Sequence, residues 1–244
     1  MPDFLHLLVF GMWMIAGFVS GVSGVGGAMV ALPVVATFIP MHVVIPLSCI
    51  LTLVMDISIA LMHFRHCRYS ALRPMIAGCV PGAFAGLYIL QIVSGAMLQG
   101  GVGLLLLFYV YWQCTYKVST KSGESWSKGS LAGFGAGLLG TTISFDGPPV
   151  GAYGLYAGWS PRVFLGTLGV FFVARATMTC ILQASAGMYT ETVLSYAMYG
   201  IPATMIGTLL AFPVVRHINQ QVFRRVLLFI ITLAGMVCLV RSVL

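Results

Sequence analysis

Charge is what this sequence has least of. Only 7% of its 244 residues are charged, and only five are Asp or Glu. So thin a polar complement cannot cover a water-soluble globule, and the mean hydropathy of +1.02 places the chain in a bilayer. Signatures of common enzymes are missing as well. There is no HExxH, no GxSxG and no His cluster at ligand spacing; His6, His42 and His66 stand apart. Zinc-protease and serine-hydrolase chemistry is thereby excluded, and no enzyme activity is expected. The six cysteines (Cys49, Cys67, Cys79, Cys114, Cys180, Cys238) form no CxxC. They read as small apolar residues, so no metal, cofactor or disulfide framework is expected. The opening MPDFLHLL lacks a basic n-region and a small-residue cleavage site, so no cleavable leader is expected.

What remains is apolar. Hydrophobic residues make up 59% of the chain, grouped in eight segments. They span roughly 5–39, 43–64, 74–93, 97–114, 130–158, 161–186, 192–215 and 222–240. Most are close to the ~20 residues that cross a bilayer as a helix. An all-α polytopic membrane protein is therefore expected. The net charge of +7 suggests no nucleic-acid partner. Its Lys and Arg lie mainly in short loops between apolar segments, where they fix orientation and meet anionic lipid headgroups.

Two segments are broken by glycine and proline: GFVSGVSGVGGAMVALPVV (Gly17–Val35) and GFGAGLLGTTISFDGPPVG (Gly133–Gly151). Gly17, Gly21, Gly24 and Pro33 match Gly133, Gly137, Gly140 and Pro149 at a shift of 116. After a five-residue insertion the shift becomes 121, and Pro40, Pro81, Gly86 and Phe108 match Pro161, Pro202, Gly207 and Phe229. The chain reads as two copies of one four-segment unit, 1–115 and 130–244, joined by a cytoplasmic linker at 116–129. Each Gly costs a helix roughly 1 kcal/mol and each Pro about 3 relative to Ala. In a bilayer, broken backbone is tolerated only where it is buried in protein or lines a wet cavity. Paired breaks in the two halves of a membrane protein point to a transporter's binding site.

Charge sets the relative orientation of the copies. The loop after segment two carries Arg65, Arg68 and Arg73, while its partner after segment six has only Glu191. The loop after segment three is uncharged, while its partner carries Arg216, Arg224 and Arg225. With Lys117, Lys121 and Lys128 on the linker also inside, equivalent loops face opposite sides. The copies are then two inverted-topology repeats, each three transmembrane helices plus a Gly/Pro-broken helical hairpin that enters and leaves on one face. The first hairpin opens outside and the second towards the cytoplasm. One crossing per broken segment would give parallel repeats, but would put Arg216, Arg224 and Arg225 outside.

The residues around the breaks resemble the sulfite exporter TauE/SafE family of membrane permeases. Gly17, Ser20, Gly21, Gly24, Gly26, Gly27 and Pro33 match its G-x-x-S-G-x-x-G-x-G-G pattern, and Gly147, Pro148, Pro149, Tyr153, Gly158 and Pro161 match its second motif. The resemblance covers essentially the whole chain. It implies multi-pass residence in the bacterial inner (cytoplasmic) membrane. It also implies movement of a small sulfur-containing anion, sulfite or a short organosulfonate such as sulfoacetate, as export coupled to the proton gradient. An uncoupled anion channel, or a permease for another small carboxylate or sulfur anion, is the alternative. The second copy departs from the first, with Thr141 and Thr142 in place of glycines and an added Asp146, so substrate identity does not carry over.

Residue chemistry supplies candidate sites. Broken helices offer N-terminal N–H groups and a positive dipole end to an anion, at Gly24, Gly26 and Gly27 and from Gly140 to Ser144, with Ser20, Ser23, Thr141, Thr142 and Ser144 adding hydroxyls. Arg175 lies within segment six, sharing a helical face with Thr167, Thr179 and Gln183. A cation at that depth is expensive and functional by default, and Arg suits a multi-oxygen anion. Asp56, on a face with Ser48 and Thr52, suits the coupling proton, because burial favours a neutral carboxyl. Asp146 either couples protons or gates, or caps a half-helix. Gly78, Gly82 and Gly86 form a GxxxGxxxG run for close helix contact, within the chain or in a homodimer.

Overall fold

A stretch of about 20 apolar residues has no option in lipid but to pair its own backbone as a helix, and the chain does so throughout. The computed structural model describes residues 2–24, 26–115, 123–215 and 220–243. Among the described residues there are ten α-helices and no strand. They are α1 (Pro2–Ser23), α2 (Gly27–Val35), α3 (Met41–His63), α4 (Tyr69–Ile92), α5 (Gly95–Thr115), α6 (Trp126–Ile143), α7 (Gly147–Tyr156), α8 (Pro161–Ser185), α9 (Glu191–Val215) and α10 (Gln220–Val243). Six of them (α1, α3, α4, α5, α8 and α9) hold stretches long and apolar enough to cross a membrane. Lys117, Lys121 and Arg216, used above for orientation, lie outside the described residues. Lys128 belongs to the first turn of α6 rather than to a free linker.

The eight apolar segments become ten helices because segments one and five each break in two. The first break uses glycine's freedom: Gly24 has φ +77° and Gly26 φ +98°, conformations in which an L side chain is strained. The second break falls one turn later than the 116 register implies. Gly140, Thr141 and Thr142 continue α6, and Ser144 turns the chain instead, with φ 56° and ψ 37°. A non-glycine residue in the left-handed region carries strain that its surroundings must hold.

Each break folds its two helices into a hairpin. At the open end of the first, the Phe4 and Phe38 rings meet edge-on at 5.9 Å. In the second, the Tyr153 hydroxyl donates to the Ser125 carbonyl at 3.2 Å, and Lys128 Nζ donates to the Tyr156 hydroxyl at 2.6 Å. The second opening also joins the α3–α4 connection, since Glu124 pairs with Arg68 at 2.9 Å. The first lies beside the start of α9, where His6 bonds Ser195 at 3.0 Å. The arms are unequal. α1 is span-length, whereas the nine residues of α2 rise only about 13 Å.

Lipid tails give apolar helices no hydrophobic reason to associate, so close packing of small residues must do it. The glycines show where. A Cβ on Gly78 would land on the Ser130 carbonyl, and one on Gly82 on the Phe134 carbonyl. From α6, Gly133 and Gly137 meet the Met75 and Cys79 carbonyls in return. The α4 glycine run is thus used inside the chain, against α6. α1 and α9 pack the same way, with Gly17 on the Thr204 carbonyl and Gly207 on that of Met14. Gly103 and Gly235 bring α5 and α10 together. The first arm of each hairpin therefore locks onto a helix from the other half of the chain. Two apolar cores result. One gathers Trp13, Leu32, Ile45, Leu51 and Met55; the other gathers Met75, Val150, Tyr153, Leu168 and Phe171.

Forcing a side chain into the α4–α6 contact should cost about 1–3 kcal/mol or more. Gly82→Val is expected to lower the unfolding temperature of purified protein or abolish folded yield. Gly11→Ala, inside α1 with a Cβ that would meet nothing within 4 Å, is expected not to lower it. Unfolding in detergent, followed by size-exclusion fluorescence, reads the difference.

Candidate anion site

The two breaks bring polar groups into the middle of an otherwise apolar bundle. In the first, Ser20 Oγ accepts the Gly27 N–H at 3.0 Å, tying the start of α2 back onto α1. Gly27 has no room for a side chain, because the Ala16 carbonyl and Ser20 Oγ occupy it. The N–H groups of Ala28 and Met29, the next in the first turn of α2, have no partner within the helix by geometry. In the second break Ser144 forms a short hydroxyl–hydroxyl bond to Ser48 on α3, which steadies its left-handed backbone. The N–H of Ser144 donates to the Gly140 carbonyl at 3.1 Å.

Between the breaks lies a small pocket. α1 contributes Ser20, the first break Gly24 and Gly26, and α2 Gly27, Ala28 and Met29. α3 contributes Thr52, Met55 and Asp56; the second break Ser144 and Asp146; and α8 Phe172 and Arg175. Its charged lining is thus one guanidinium and two carboxylates.

Arg175 dominates the site. Only 2% of the residue is exposed. Its Nη2 forms an ion pair with Asp146 Oδ2, while Nε and Nη1 are buried with no hydrogen-bond partner. Leaving a buried donor unpaired costs about 1–3 kcal/mol, more when it is charged. Two such donors on a guanidinium that lines a cavity leave it with hydrogen-bonding capacity for an anion, Nη1 on the Cδ side and Nε on the opposite side. Gly140 creates the space. A Cβ there would lie 3.2 Å from both Cδ and Nη1 of Arg175 and 3.0 Å from the Cβ of Asp146. Asp146 is the residue before α7 but makes no side-chain capping bond; its carboxylate serves Arg175 instead.

The structure separates the residues expected at the site. Ser20, Gly24, Gly26, Gly27, Ser144, Arg175, Asp56 and Asp146 converge on the pocket. Ser23 turns its hydroxyl to the Val19 carbonyl at 2.7 Å and is not among the pocket residues. Thr142 donates to the Leu138 carbonyl at 2.7 Å. Thr141 bonds Thr179 at 3.0 Å, joining α6 to α8 beside the pocket. The expectation that amides from Gly140 to Ser144 begin a half-helix is corrected: Gly140–Ile143 close α6 with its carbonyl end, and the second half-helix starts at Gly147. Pro148 and Pro149 then remove two N–H donors from its first turn. The positive end facing the pocket is that of α2, and the second break contributes a cation and its counter-ion through side chains.

Met29, Met55 and Phe172 were not anticipated. No residue-type signal distinguishes them from lipid-facing neighbours; only their positions beside Gly27, Asp56 and Arg175 do. The α8 face is as expected, with Thr167, Arg175, Thr179 and Gln183 all buried. Thr167 Oγ1 accepts the Arg68 N–H at 3.0 Å, and the Gln183 Oε1 accepts from Tyr189 at 3.1 Å.

The family model for the sulfite exporter TauE/SafE matches residues 9–237, a range that takes in both breaks, Arg175 and both acidic residues. The chain belongs to the TauE/SafE family. Comparisons with curated proteins and with solved structures give no match. Membership makes the chain a membrane transporter rather than an enzyme, and accounts for a polar pocket between broken helices in a protein this apolar. The family's glycine pattern thereby acquires separate physical reasons: φ at Gly24 and Gly26, and close approach at Gly17, Gly21 and Gly27.

Gly140→Ala is expected to displace the guanidinium and weaken binding of small oxyanions about tenfold, close to 1.4 kcal/mol, in a protein that still folds. Gly101→Ala, with nothing within 4 Å of its Cβ, is the control. Calorimetric titration of the two purified variants with sulfite tests this.

Proposed function

We propose that the chain is a secondary transporter moving a small sulfur-containing anion, sulfite or a short organosulfonate, across the bacterial inner membrane. Export is the direction that family membership favours, with the proton gradient as the coupled force. The observation that carries the reading is the incompletely bonded guanidinium of Arg175: two buried, unpaired donors on a residue lining a pocket into which the α2 N-terminus also opens. A planar fork of N–H donors suits the oxygens of a sulfite or sulfonate group, and a positive helix end adds to it. Ser20, Ser144 and Thr52 supply hydroxyls around it. Asp56 and Asp146 are the groups able to carry the proton or gate the site.

Two inverted repeats, 1–115 and 130–244, would move around this site by alternating access. Support comes from the hairpin openings at opposite ends of α3, and from the reciprocal packing of α1 on α9 and α6 on α4. With Arg65, Arg68 and Arg73 on the cytoplasmic side, the first hairpin opens outside and the second inside.

In proteoliposomes, an imposed proton gradient is expected to drive sulfite or sulfonate uphill, which an uncoupled channel cannot do. Arg175→Ala should abolish both transport and the rise in unfolding temperature that bound anion gives. Arg175→Lys, keeping charge but not the fork, should lose affinity at least about tenfold. A folded Arg175→Ala protein with wild-type transport would overturn the assignment, as would stabilisation by carboxylates alone.

A further inference from the structure

The pocket's own charge count carries a further inference, which rests on the anion reading above. Its lining holds Arg175, Asp146 and Asp56. The first two form an ion pair and cancel. Asp56 has no ion pair or hydrogen bond among the described residues, and burial favours its neutral form; once the pH is high enough to ionise it, the empty pocket carries one net negative charge. An arriving anion would raise this to two in a site inside the bundle, where charges are poorly screened. No further full positive charge lines the pocket beside Asp56. Arg175 on α8 is already committed to Asp146 in the α6–α7 turn. α1 and the turn after it present Ser20 and Gly24, and α2 only Gly27, Ala28 and Met29. α5 and α9, which also pack on α3, line no part of the pocket.

We infer that Asp56 takes up a proton as the anion binds, so that the site is occupied by a singly charged anion and one proton together. The exchange keeps the pocket's charge unchanged. Before binding, it is the Asp56 carboxylate that carries the net negative charge; afterwards the carboxyl is neutral and the anion carries it. No bond is formed or broken except the O–H on Asp56, whose proton comes from solvent. Two consequences follow for coupling and selectivity. Anion loading is thereby tied to the pH on the side to which the pocket is open. A doubly charged anion such as sulfate is disfavoured, because it would need a second proton at Asp146 and would break the pair that holds Arg175.

The test is titration calorimetry of purified protein in two buffers of different ionisation enthalpy, which counts protons taken up per anion bound. It is run at a pH above the point where affinity begins to fall, so that Asp56 is ionised in the anion-free protein. Methanesulfonate and sulfite are the probes; methanesulfonate is fully ionised throughout, so its proton count belongs to the protein. Wild type is expected to take up about one proton per anion more than Asp56→Asn, and to lose affinity about tenfold per pH unit once Asp56 ionises. Asp56→Asn should bind with affinity independent of pH. For sulfite, whose own titration is common to both proteins, the difference between them is the readout. Anion binding to wild type with no proton uptake, or an Asp56→Asn protein that takes up the same number, overturns the inference while leaving the anion site standing. Failure of either probe to bind wild type removes the anion reading itself. Should Asp56→Asn not fold, the wild-type count with methanesulfonate decides alone.

Discussion

A guanidinium buried in an apolar bundle is the constraint around which this structure is arranged. Removing a cation from water costs several kcal/mol even after relaxation, and more in a bilayer than in a soluble core. Asp146 offsets part of that cost through Nη2, yet Nε and Nη1 stay unpaired. A sequence limited to stability would replace the pair with apolar side chains. Its presence, with Gly140 cut away to seat it, makes sense if a ligand completes the hydrogen bonding.

The broken helices serve that cation from two different directions. α1 and α2 bring a helix start and the Ser20 hydroxyl. α6 and α7 bring the counter-ion and the strained turn at Ser144, held by Ser48. Broken backbone in a membrane must line a cavity or be covered by protein, and here both conditions are met at one place. The glycine contacts between α1 and α9, and between α6 and α4, hold the two hairpins by backbone approach rather than by bulky side chains. Such joints consist of small residues and van der Waals contact, leaving the polar centre as the specific element of the fold.

Much of this was legible in the residues, for physical reasons. Apolar length forces helices in lipid, so the spans could be read directly. Gly24, Gly26 and Pro33 cannot continue an apolar helix without cost, so the first break was visible. Arg175 and Asp56 stood out because charge is so rare here. The second break was misplaced by a turn, because Gly140 looks like a helix breaker but acts as a cleft for the guanidinium. Ser144, which does turn the chain, gives no local warning: its left-handed backbone depends on a hydroxyl from another helix. The pairing of Asp146 with Arg175 was likewise hidden. The 116 and 121 shifts relate neither residue to the other, and only the three-dimensional packing of α8 against the α6–α7 turn brings them together.

Selenite, the heavier analogue of sulfite, allows the central claim to be examined directly, since its anomalous scattering locates the anion in crystals of the complex. The expected result is a single strong peak between the breaks, with an oxygen within hydrogen-bonding distance of Nε or Nη1 of Arg175. A bound selenite elsewhere, with both of those nitrogens still unpaired, would contradict it.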